Sequence, residues 1–117
     1  MSELTIWHNP RCRKSREVLQ LLEAKGADLE IVKYLETPPS AGELDRVLTS
    51  LNMQPRQLMR RKEAPYRDLN LADEKLSRDD LIAAMVENPI LIERPVVIRG
   101  SRAALGRPAE NVLDLLN

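Results

Sequence analysis

The sequence predicts an α/β domain: a strand–helix–strand half and a strand–strand–helix half share a four-stranded mixed sheet, with helices inserted between them over about residues 40–90. Three observations predict it. Two apolar runs, at 4–8 and 30–35, enclose a helix-period stretch. Two more, at 95–99 and 102–105, enclose the hairpin signal Gly100-Ser101. Between the pairs lie helix caps and helix-spaced apolar residues.

Each element has its own justification. Leu4-Thr5-Ile6-Trp7-His8 reads as a short buried strand, and Asn9-Pro10 turns the chain. From Arg13 the pattern is helical, with Val18, Leu19, Leu21 and Leu22 on one broad face and Gly26 as the C-terminal stop. Glu30-Ile31-Val32-Lys33-Tyr34-Leu35 reads as a second strand. This spacing makes a βαβ unit, so the two strands should be parallel and the crossover right-handed.

Pro38-Pro39 ends that strand, and Ser40 with Glu43 has the spacing of a capping box. Leu44, Val47, Leu48 and Leu51 stripe the helix that follows. A short helix should begin near Pro55 and carry Leu58 and Met59, with Pro65-Tyr66 interrupting. Ser77 caps a further helix whose Leu81, Ile82, Met85 and Val86 face inward, and Asn88-Pro89 ends it. After the hairpin, Gly106-Arg107-Pro108 leads into a last helix, with Pro108 suited to its first position and Val112, Leu113, Leu115 and Leu116 packing on the sheet. This order is that of a thioredoxin-like fold in a single domain spanning 1–117. The Arg94-Pro95 bond opening the third strand is a candidate for the cis isomer.

The chemistry of the chain centres on Cys12, its only cysteine, within His8-Asn9-Pro10-Arg11-Cys12-Arg13-Lys14-Ser15-Arg16. A thiol at a strand-to-helix junction meets the free amides and positive dipole end of the helix, which both favour the thiolate. Arg11, Arg13 and Lys14 add positive charge. One cysteine allows no internal disulfide and argues against zinc; any redox partner thiol must come from another molecule. No bound cofactor or metal is expected.

Composition narrows the class. Lys+Arg and Asp+Glu are both 18, so net charge does not suggest nucleic-acid binding, and 3% aromatics supply no platform for bases. The 89–98 stretch is broken by Glu93 and Arg94, and no run reaches the length of a membrane span. No secretory leader is read ahead of Leu4, and a reducing cytoplasm and a monomer are expected.

Five stretches then carry a family resemblance: His8-Asn9-Pro10-x-Cys12-x-x-Ser15-Arg16; Tyr34-Leu35-Glu36-x-Pro38-Pro39-Ser40; Leu58-Met59-Arg60 with Pro65-Tyr66; Asn88-Pro89-Ile90-Leu91-Ile92-Glu93-Arg94-Pro95; and Arg107-Pro108 before Val112-Leu113-Asp114. With these motifs the chain resembles the glutaredoxin-coupled arsenate reductases over nearly its whole length. The resemblance implies that Cys12 is the nucleophile and that Arg60, Arg94 and Arg107 bind the oxyanion. It implies that His8 and Ser15 help to hold the thiolate. It further implies glutathione as co-substrate, glutaredoxin as the resolving partner, and arsenite as product. The residues suit this chemistry, because a tetrahedral oxyanion fits helix N-terminal amides and forked arginine donors.

Two departures open alternatives. Arg13 and Lys14 stand where the family carries Gly-Thr, so they strengthen oxyanion capture or fill the pocket. The sequence ends at Asn117, just after the last helix, which suggests a shorter branch. One alternative is a thiol oxidoreductase acting on glutathione-type mixed disulfides or another oxidised substrate. Another is a redox regulator binding RNA polymerase; such regulators carry Cys-x-x-Cys, whereas the second position here is Ser15.

Overall fold

The computed structural model describes residues 3–116. Its sheet has the order β2-β1-β3-β4, built from β1 (Leu4–Trp7), β2 (Leu29–Val32), β3 (Val96–Arg99) and β4 (Arg102–Leu105). β1 and β2 are parallel, while β1–β3 and β3–β4 are antiparallel. The thioredoxin-like frame expected from the sequence is therefore present.

Period-2 alternation sends side chains to two cores, one on each face of the sheet. Leu4, Ile6 and Val97 pack with Val18 and Leu22 of α1 (Arg13–Ala24) and with Val112 and Leu115 of the C-terminal helix. Trp7 and Val96 face the other way, against Leu44, Val47 and Leu48 of α2 (Ala41–Leu51) and Leu81, Ile82 and Met85 of α4 (Arg78–Glu87). The crossover helix and the C-terminal helix thus cover one face, and the inserted helices cover the other.

The caps form as their residues dictate. Ser40 Oγ accepts from the Glu43 backbone N–H at 3.1 Å, and the Glu43 carboxylate accepts from the Ser40 N–H at 3.2 Å. Ser77 and Asp80 repeat the box at α4. Gly26, at φ +73°, takes the left-handed position after α1.

Four expectations are corrected. β2 stops at Val32, because the N–H groups of Glu36 and Thr37 both bond Lys33 O at 2.9 Å and turn the chain through Tyr34. Pro65 does not interrupt: it lies in the first turn of α3 (Ala64–Asp68), where its missing N–H costs nothing. The segment from Pro55 to Leu58 is a 3-10 turn, and Met59 leaves it to bridge Ile92. The last helix is also 3-10, spanning Ala109–Leu116, so Pro108 precedes it, joined to Arg107 through a cis bond. The Arg94-Pro95 bond is cis as well. No helix among the described residues is long and apolar enough to cross a membrane.

Candidate active site

Sheet register assembles the site. The aligned row Val32, Trp7, Val96 and Leu105 crosses all four strands at one end of the sheet. The parallel strands β1 and β2 end there, running on into His8–Cys12 and Tyr34. The antiparallel pairing brings the start of β3, with Arg94, and the end of β4, leading to Arg107, to the same end. Residues separated by up to 95 positions in sequence are thereby gathered around one thiol.

Cys12 is the N-cap of α1, with extended backbone and only 8% exposure. Its own amide bonds Asn9 O at 3.0 Å, closing the turn that presents it. Burial by itself would raise the thiol pKa. The backbone N–H of Ser15, the charge of Arg94 and a hydrogen bond from its side chain, and the Lys14 N–H outweigh burial and hold the thiol below its ordinary value. The helix N-terminus thus acts through two specific amides.

Arg107 Nη2 donates to Cys12 Sγ at 3.8 Å, and its Nε donates to Arg94 O at 2.8 Å. Arg94 is largely buried and pairs with Glu93 at 3.2 Å; Glu93 also reaches Arg107 Nε at 3.4 Å. Arg60 enters from the insertion. The Met59–Ile92 bridge, the Arg60 N–H on Leu91 O and the Glu93 N–H on Leu58 O, both 2.7 Å, lay its segment beside that of Arg94. Arg60 Nη1 pairs with Glu63 at 2.9 Å.

His8 and Ser15 form the buried underside of the site. His8 Nδ1 and Ser15 Oγ are hydrogen-bonded at 2.6 Å, and Ser15 Oγ accepts the Asn9 N–H at 3.0 Å. Burial, then Lys33 and Arg16, lower the His8 pKa, while Glu23 opposes them more weakly. A neutral His8 orients Ser15 and the Asn9–Cys12 turn; it brings no charge to the thiolate.

Arg13 and Lys14 point out of the pocket. Both are exposed and reach Glu17, at 3.1 Å and 3.6 Å. Positive φ among the described non-glycine residues occurs at Asn52 and Asn70, so position 13 makes no demand for glycine. Glu63 and Glu93 hold the arginines, roles to which only the spacing of three from Arg60 and the adjacency to Arg94 point in the sequence. Tyr34 lies in a family motif that by itself assigns it no role. Arg56, four residues before Arg60, instead donates to Leu71 O and Asp73 O and pins the loop before α4.

Comparison with known proteins places this geometry. The family model described as "ArsC family" matches residues 7–115. The chain is 45% identical to a protein of Neisseria meningitidis serogroup A named arsenate reductase, over 99% of this chain and 100% of that one. It is 51% identical to the Escherichia coli K12 protein named YfgD, over 97% of each. A solved structure titled as an arsenate reductase from Vibrio cholerae superposes with a TM-score of 0.93 at 50% identity, covering 97% of this chain and 98% of that one. With a family model spanning nearly the whole chain and the same fold in its relatives, this protein belongs to the ArsC family.

Proposed function

We propose that this protein is an arsenate reductase in which Cys12 attacks an arginine-bound arsenate and glutathione and glutaredoxin complete the reaction. The observation that carries the reading is a lone thiol, held below its ordinary pKa at a helix N-terminus, with Arg107 at 3.8 Å and Arg94 acting on it directly. A relative 45% identical over the whole chain bears the name arsenate reductase, which supports it.

The Cys12 thiolate attacks arsenic and displaces one oxygen, which leaves as water after protonation. Arg60, Arg94 and Arg107 carry the negative charge of the oxyanion. A glutathione thiol then adds at the cysteine-bound arsenic. The two sulfurs join as a mixed disulfide, and the electron pair released reduces As(V) to As(III), which departs as arsenite. Glutaredoxin takes the glutathione sulfur and returns Cys12 to the thiol. The second thiol comes from outside because Cys12 is the only cysteine. A cytoplasmic, monomeric protein with no resident cofactor completes the reading.

The test is arsenate-dependent NADPH oxidation with glutathione, glutaredoxin and glutathione reductase present. Wild type should turn over and Cys12→Ser should not. Equal rates in the two would sink the proposal. A second reading, reduction of glutathione mixed disulfides, draws on the same lowered thiol pKa. Rapid glutathionylation of Cys12 without arsenate-dependent turnover would select it.

A further inference from the structure

The geometry points to Tyr34 as a fourth oxyanion-binding group, its phenol O–H donating to the anion held between Cys12, Arg60 and Arg94. The inference rests on the oxyanion reading above. Tyr34 is fully buried, yet its hydroxyl has no hydrogen-bond partner among the described residues. Leaving a buried hydroxyl unpaired is costly, and such groups are normally satisfied. Among the described residues, the other buried side-chain nitrogen or oxygen without a partner is Arg94 Nε. Two orphaned donors at one end of one sheet call for an acceptor that both can reach.

Placement agrees. Tyr34 follows β2 at the strand ends that present Cys12 and Arg94. Its ring packs in the cluster containing Leu58, Met59, Leu91 and Ile92, the residues leading directly into Arg60 and into Glu93-Arg94. Burial raises the phenol pKa, against the opposing pull of Arg94 and Arg60, while Cys12 and Glu93 reinforce it. The hydroxyl therefore keeps its proton and is a donor. The same four neighbours put it within electrostatic reach of the thiol and both arginines. A neutral donor here adds a directed bond to an oxyanion without adding charge to a cluster in which Glu63 and Glu93 already pair with the three arginines.

The experiment is protection of Cys12 from iodoacetamide by inorganic arsenate, in wild type and Tyr34→Phe, with chloride at equal ionic strength as control. Phenylalanine keeps the ring and its packing. A lost hydrogen bond to a charged group should raise the half-protecting arsenate concentration about tenfold. The unprotected alkylation rate and its pH midpoint should stay unchanged. The thermal midpoint without anion should be equal or higher, since an unpaired hydroxyl has been removed. Equal protection of both proteins overturns the inference and leaves the reductase reading standing. No protection of the wild type overturns both. A lower thermal midpoint or altered unprotected alkylation in Tyr34→Phe would mark the hydroxyl as structural and likewise overturn the inference.

Discussion

At the scale of single residues, the reactivity of Cys12 is a contest that geometry decides. Burial opposes the thiolate; two backbone amides and Arg94 favour it and win. Arg94→Ala removes both the charge and the side-chain hydrogen bond, so the Cys12 pKa should rise. Because alkylation requires the thiolate, its pH midpoint should move upward, and the reaction should slow at pH values below the new midpoint. Rate–pH profiles with iodoacetamide measure this; an unmoved midpoint would mean that the amides alone set the pKa. Cys12 and the three arginines stand out in the sequence through their motifs, and the fold brings Arg94 and Arg107 to the thiol. Their carboxylate partners were not, because Glu63 and Glu93 look like ordinary surface charge until the arginines are placed in space.

At the scale of elements, local signals worked where the chemistry is local. A cap needs only residues three positions apart, and the boxes at Ser40 and Ser77 both form. Ser40→Ala should cost about 1 kcal/mol, read as a lower thermal midpoint, with the alkylation profile of Cys12 unchanged because α2 lies on the far side of the sheet from α1. Local signals failed where a turn competes with a strand. Tyr34 and Leu35 have strand-like side chains, but Lys33 O captures two following amides and ends β2 early. That early end turns Tyr34 into the apolar cluster that holds Leu58, Met59, Leu91 and Ile92. Pro65 was misread for the related reason that a proline ends a helix from its interior and starts one from its first turn.

At the scale of the whole molecule, the site depends on close packing between α1 and the strand ends. Gly106 shows how close: a Cβ there would lie 2.8 Å from Val18 Cγ2 and 2.9 Å from Pro95 Cγ. Neither neighbour can withdraw easily, since Val18 is fully buried in the core and Pro95 is tied through its carbonyl to the Gly106 N–H at 2.9 Å. Gly106→Ala should destabilise the protein by roughly 1–3 kcal/mol. It should also loosen arsenate protection of Cys12, because Arg94 and Arg107 flank the displaced contact. Thermal melts together with anion protection check both effects; a variant with wild-type behaviour in each would show that the strand ends have slack.

Residue type, period and short spacing carry the order of the four strands and the capped helices, the parallel sense of β1–β2, the antiparallel sense of β3–β4 and the family motifs, but they miss α3 and the 3-10 character of the last helix. Which cations reach the thiol depends on how the strands pair in three dimensions. Arg13 and Lys14 are adjacent to Cys12 in the chain yet turn to Glu17, because neighbouring positions on a helix point in different directions. Arg94 and Arg107 are distant in the chain yet meet Cys12, because antiparallel pairing brings the start of β3 and the end of β4 to the end of β1. Proximity in a folded chain follows sheet register rather than sequence separation.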